Sequence, residues 1–308
     1  MRIENSNIKG VVLVVLSTIM WAMNGNVGSY LFKNKEITPE HLTMFRLIFA
    51  GLVLLIYQYF TNRNEMFSMF HNRSEVLRLV YFAFCGILAM QYGFFVAVKY
   101  SNAATATILQ SLAPFVIVII TSITSRKLPS KTVFLALIFA FVGAFFLITH
   151  GKFNQLAITK FALLFGVIAA FGSINYNLSS RELQNKYSVI LVIGWAMLIS
   201  GVGFTLVFRP WKSPFLIDVS SVLGIIFVAA FGTLFPFLFY LMGAKIIGPQ
   251  RASILSLIEP VASTIIAVVF MGAELVKIDF LGIGLVVFAL LLLALPEVKR
   301  TKGVSNEN

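Results

Sequence analysis

Charge is scarce in this sequence. Only 12% of its 308 residues are Asp, Glu, Lys or Arg, against 59% hydrophobic, and the mean hydropathy is +0.92. So few charges cannot cover a soluble domain of this length, which excludes a soluble globular protein. Cysteine is nearly absent. The single Cys85 excludes an intrachain disulfide and gives no reading of the redox compartment. Histidine is limited to His41, His71 and His150, all at the ends of apolar runs or in a loop, and Glu259 is the one acid deep inside such a run. Intramembrane enzymes bury paired aspartates, a Ser with a His, or a zinc site built on His. Without these, and without HExxH or GxxxxGK[ST], an enzyme is a distant alternative, and neither a metal nor a cofactor is implied.

Long connections are also lacking. The longest runs from Thr61 to Glu75, which leaves no room for a soluble catalytic or nucleotide-binding domain. A scaffold or sensor would need a signalling domain or an exposed partner surface, so that reading is equally distant. Ten-residue alternating strands, the mark of a membrane barrel, are missing as well.

What the chain does have is apolar runs of membrane-crossing length, ten of them: 8–32, 41–60, 76–98, 102–124, 132–149, 159–180, 187–208, 219–243, 250–273 and 278–296. About 20 apolar residues in a helix cross a ~30 Å hydrocarbon core. The first run exceeds signal-peptide length and has no small-x-small cleavage site after it, so it is expected to be retained. The net charge of +12 sits in the loops rather than on one patch, which points to membrane topology and away from nucleic acid. With the N-terminus in the cytoplasm, fifteen Lys/Arg lie inside and eight outside, Arg46 falling within a run. Both termini are therefore expected to be cytoplasmic, in a multi-pass membrane protein.

One membrane segment occurs twice. Lys99 to Leu147, laid without a gap on Lys245 to Leu293, is identical at eleven of 49 positions, among them Lys99/Lys245, Ile108/Ile254, Leu109/Leu255, Pro114/Pro260 and Lys131/Lys277. Asn24-Gly25-Asn26 and Asn175-Tyr176-Asn177, followed by Asn34-Lys35 and Asn185-Lys186, extend the match at a register of 151. Five spans per half is an odd number, so the second half must enter the membrane inverted. The expected fold is an all-α integral membrane protein of ten transmembrane helices in two inverted five-helix repeats, 1–150 and 151–298, with a polar cytoplasmic tail, 299–308. Inverted halves are how many secondary transporters build alternating access around a central site.

Polar side chains within spans mark helix contacts or a hydrated path. Glu259 lies about nine residues into its run, ~14 Å deep at 1.5 Å per residue. It is a candidate for binding a proton or a cationic solute, or else for bonding backbone groups that Pro260 leaves free. Arg46 is either a snorkelling side chain or a fixed charge that holds an anionic group or pairs with Glu259 or Glu274. The expected solute cavity comprises Trp21, Asn24, Gln91, Tyr92, Gln110, Asn175, Tyr176, Trp195, Tyr240 and Glu259. Its aromatics suit an apolar or aromatic solute, its amides an amino-acid-like one. Pro114 and Pro260 are expected helix kinks. Ala136, Ala140 and Ala144 form a small-residue stripe whose default reading is packing within the chain and whose minority reading is a homodimer.

Four stretches resemble the EamA-type branch of the drug/metabolite transporter superfamily: Trp21-Ala22-Met23-Asn24; Phe45-Arg46-Leu47 with Ala50; Lys99 to Ala104 continuing to Ser111-Leu112-Ala113-Pro114; and Ser256 to Val261 with Gly272-Ala273-Glu274 and Leu281-Gly282. The resemblance covers essentially the whole chain. It implies a ten-helix fold of two inverted repeats around a central cavity, usually in a bacterial cytoplasmic membrane, exporting or exchanging small metabolites. The expected function is export of a small metabolite or drug-like solute by alternating access, coupled to protons through Glu259, with an uncoupled facilitator or exchanger of amino-acid-like solutes as the alternative. One departure is that Arg126-Lys127-Leu128 stands where the second half has Gly272-Ala273-Glu274, so the acidic features belong to the second half.

Overall fold

The structure, a computed structural model, describes residues 2–101, 103–126, 128–152, 159–262, 265–266 and 275–294, and no strand occurs among them. In chain order the helices are α1 (Arg2–Asn34), α2 (Pro39–Thr61), α3 (Arg73–Tyr100), α4 (Ala103–Gln110), α5 (Ala113–Ser125), α6 (Lys131–Thr149), α7 (Lys160–Leu178), α8 (Arg181–Lys186), α9 (Val189–Phe208), α10 (Val219–Ile247), α11 (Pro249–Leu255) and α12 (Lys277–Ala294). Six are long and apolar enough to cross a membrane: α1, α2, α3, α7 continued into α8, α9, and α10.

Helix starts are set by short polar side chains placed just before apolar runs. Thr38, Ser130, Thr159, Ser188 and Asp218 each accept a backbone N–H of the first turn. Such a cap satisfies a donor that a helix leaves orphaned, which matters most where water is sparse. The outer surface is apolar, with Phe60, Ile123 and Val207 exposed, whereas Thr18, Arg46, Gln91 and Thr233 are buried. That inverted distribution suits hydrocarbon as the surrounding solvent.

Two expected spans are not continuous helices. The run 102–124 is parted at Ser111 and Leu112 into α4 and α5, and α11 passes into a 3₁₀ turn, Ser256–Ile258, ahead of Glu259 and Pro260. Proline is the cause in the first case. Pro114 has no N–H for the carbonyl of Gln110, and its ring crowds that carbonyl, so the helix breaks there instead of kinking smoothly. The Ser111 hydroxyl bonds back to the Thr107 carbonyl at 2.7 Å. Residues 267–274, Glu274 among them, and the tail 299–308 lie outside the described residues. Two long helices widen instead of breaking: α3 has a π segment at Phe82–Leu88 and α10 one at Ala230–Leu234.

Four pairs of helices make the main contacts: α6 with α12, α2 with α9, α3 with α7, and α1 with α10. Glycine allows the closest of these approaches. A Cβ on Gly172 of α7 would sit 2.1 Å from the Met90 nitrogen, and one on Gly143 of α6 would sit 2.6 Å from the Gly282 carbonyl oxygen of α12. Ala136, Ala140 and Ala144 are buried within the chain on α6.

Candidate functional site

A cavity enclosing about 790 Å³ of space free of atoms, its mouth included, lies among these helices. The central part of α1 contributes Trp21 and Asn24, α2 contributes Arg46, and α3 contributes Met90, Gln91 and Phe94 just beyond its π segment. The α4–α5 break brings in Thr107, Gln110, Ser111 and Pro114. From later in the chain come Ser173, Tyr176 and Asn177 of α7, Phe237 and Tyr240 of α10, and Ser253, Ser256, Leu257 and Glu259 around the 3₁₀ turn.

An aromatic layer closes one side. Tyr240 Oη donates to Asn177 Oδ1 at 2.8 Å, and Tyr176 Oη donates to the Phe237 carbonyl at 2.7 Å. The Trp21 ring meets Phe237 and Tyr240 at centroid distances of 5.2 Å each. Each hydroxyl is satisfied while each ring stays in apolar contact, the arrangement a buried tyrosine requires.

The remaining polar groups are less satisfied. Arg46 is only 3% exposed and turns inward, which overturns the snorkelling expectation. Its Nε donates to Thr233 Oγ1 at 2.7 Å, Nη2 reaches the Gly232 carbonyl at 3.5 Å, and the guanidinium lies over the Phe95 ring at 4.6 Å. Thr233 takes this position because the α10 π segment lets its hydroxyl bond the Val228 carbonyl five residues back. No described carboxylate pairs with Arg46, Glu259 included. Glu259 itself lines the cavity and makes no hydrogen bond to a described residue. Both polar atoms of the Gln91 amide and Oδ1 of Asn24 are buried without partners. Asn24 can approach only because residue 232 is glycine, where a Cβ would fall 2.2 Å from its Oδ1.

Of the residues expected at the cavity, Trp21, Asn24, Gln91, Gln110, Tyr176, Tyr240 and Glu259 line it, together with Arg46 and Pro114. Three do not. Tyr92 points to the other side of α3, donating to Glu40 Oε1 at 2.7 Å among Phe165, Phe204 and Phe208. Asn175 is held by Phe171 O and the Tyr81 hydroxyl, and Trp195 donates to the Met66 carbonyl beside Phe67 and Phe70. Pro260 is buried behind Glu259 without lining the cavity. Asn177, Phe94, Phe237 and the serines were missed as lining residues. The available signal was spacing, since 91 and 94, 173 and 177, 237 and 240, and 253 and 256 each share a helix face.

A second cavity of about 410 Å³ lies beside the first, lined by Ser180, Arg181, Gln184, Lys245 and others, and shares Asn177 with it. Lys245 Nζ there donates to the Gln184 carbonyl at 2.6 Å.

Known proteins resemble this chain along most of its length. A sequence model of the EamA-like transporter family matches residues 8–149 and again 160–295. An uncharacterized inner membrane transporter of Salmonella typhimurium, YicL, is 32% identical over 295 residues, covering 96% of this chain and 98% of the relative. An uncharacterized transporter of Bacillus subtilis, YwfM, is 22% identical over 94% of this chain and 95% of its own. A crystal structure of a protein superposes with a TM-score of 0.73 at 16% identity over 92% of this chain and 96% of that one, a likeness of fold. With helices that span a membrane and a polar cavity between them, this chain is a multi-pass membrane transporter and belongs to the EamA-like transporter family.

Proposed function

We propose that the protein is a secondary transporter that moves a small organic solute outward across the bacterial cytoplasmic membrane by alternating access, with ten spans in two inverted five-helix halves. The observation that carries the proposal is the cavity, whose walls come from both halves and hold buried polar groups without protein partners. Rocking one half against the other would open such a site to either face in turn.

Several features support the inverted halves. Exchanging first for sixth span, second for seventh and so on leaves the helix pairing unchanged: α6 with α12 and α2 with α9 map onto themselves, and α3 with α7 maps onto α10 with α1. The π segments of α3 and α10 correspond, as do the breaks ahead of Pro114 and Pro260. Gly51 of α2 packs on Leu198 of α9 while Gly201 of α9 packs on Ile48 of α2, a reciprocal contact at a register of 150. On the third and eighth spans, Gly93 meets Phe165 O and Ala169 N, and Gly243 meets Gly10 O and Val14 N. Those contacts relate α1 to α7 by 155 residues rather than 151.

Counterflow uptake into proteoliposomes tests the proposal, using labelled amino acids, nucleosides and small cationic drugs with and without an imposed pH gradient. Accumulation of a solute is the expected result. A response to the gradient that Glu259→Gln abolishes supports proton coupling through Glu259, whereas accumulation indifferent to the gradient identifies a facilitator. No counterflow of any solute by folded protein counts against the proposal.

A further inference from the structure

We infer that the cavity takes a zwitterionic solute, its anionic group on Arg46 and its cationic group on Glu259, with the Gln91 amide bonding between them. The inference rests on the reading of this cavity as the solute-binding site. The Arg46 guanidinium is buried and, among the described residues, is met only by hydroxyl and carbonyl dipoles and one aromatic face. A buried charge without a counter-charge is costly, and so is a carboxyl that no donor meets. Among the described residues the cavity has one of each, and the two do not pair with one another.

A ligand with a single charge resolves only half of this. A pure cation would meet Glu259 but share the cavity with the Arg46 charge, and a pure anion would meet Arg46 but face Glu259. A molecule with both signs satisfies each protein group with the opposite charge. Gln91 adds a donor and an acceptor, both buried and unpartnered, which would suit the ligand's own acceptor and donor. Phe94, Trp21 and Phe237 leave an apolar wall for the remainder of the molecule.

Three probes on one scaffold test this: phenylalanine, with both charges, phenethylamine, without the carboxylate, and 3-phenylpropionate, without the amine. Binding to purified protein is read by calorimetry at neutral pH, with leucine and betaine as zwitterions of different shape. Phenylalanine or another zwitterion is expected to bind at least tenfold more tightly than either singly charged analogue, because each analogue leaves a buried group unpaired. Arg46→Gln should bring the zwitterion down to the affinity of the amine, and Glu259→Gln down to that of the carboxylate. A general loss of structure cannot produce that crossed pattern. Equal affinity for the three phenyl probes, or no binding of any zwitterion at millimolar concentration by folded wild-type protein, overturns the inference without any variant. Charge-selective binding without counterflow would remove the transport reading and leave this one standing. Counterflow of an uncharged solute in preference to every zwitterion would do the reverse.

Discussion

Tyr240 and Tyr92 show what a single hydroxyl does on either side of the cavity wall. Tyr240→Phe removes the donor to Asn177 and leaves Oδ1 of that amide buried and unpaired. The expected cost is about 1–2 kcal/mol, read as a lower midpoint of thermal unfolding in detergent, together with altered solute affinity. Tyr92→Phe breaks the bond to Glu40 and should lower the unfolding midpoint while solute affinity stays at the wild-type value. A shift in affinity for Tyr92→Phe would place that residue in the site after all. Sequence reasoning chose both Gln91 and Tyr92, yet neighbours on a helix are about 100° apart and only one can face a narrow cavity. Nothing in an almost wholly apolar run marks which face is inward. The π segment just upstream inserts a residue and turns the face further, so extrapolation from the start of α3 goes astray.

At the scale of elements, glycines let helices approach closely and ion pairs tie them together near their ends. Gly172→Ala would drive a methyl group into the backbone at Met90, whereas Gly284 has nothing within 4 Å of its Cβ position. The first substitution is expected to destabilise by about 1–3 kcal/mol and the second to be neutral or stabilising by up to about 1 kcal/mol, both measured by thermal unfolding. Lys186 pairs with Glu75 at 2.7 Å, joining α8 to the first turn of α3, and Lys35 pairs with Asp218, joining the end of α1 to the cap of α10. In the proposed inverted halves these lysines are repeat partners that follow the matched asparagines and stand at opposite membrane faces. Lys186→Ala should raise labelling of a cysteine at Ser173 from the cytoplasmic face, and Lys35→Ala from the outer face, with an impermeant thiol reagent in a Cys85→Ala background. Identical changes from both faces would argue against paired latches. The long apolar runs and the interruption at Pro114 were legible beforehand. The partners Glu75 and Asp218 were not, because they are set by how the two halves meet across more than 100 residues of chain.

For the whole molecule, the ion pair of Lys35 with Asp218, on the outer side in the proposed orientation, bears on pH. The hydrogen bond from Lys35 holds the Asp218 carboxyl well below the usual carboxylate range, and the same bond pushes the Lys35 ammonium above its ordinary value. A depressed acid contributes above its unfolded value and loses that contribution only as pH falls through the lower folded one. A raised base contributes below its unfolded value and loses it only as pH rises through the higher folded one. Between about pH 5 and pH 9 the pair is therefore constant. Any pH dependence of transport in that interval is expected to persist in Asp218→Asn, and its disappearance in that variant would move the titrating group to the outer face.

Asn177 belongs to the walls of both cavities. Where two water-accessible spaces approach within one side chain, the insulating thickness of the membrane shrinks locally to that layer. With the two cavities open to opposite faces, as alternating access would require in turn, the transmembrane voltage would fall across a few ångströms instead of ~30 Å of hydrocarbon. A solute with a net charge would do nearly all of its electrical work, about 2.3 kcal/mol per 100 mV, in the single step past the Asn177–Tyr240 contact, and one with balanced charges would do almost none.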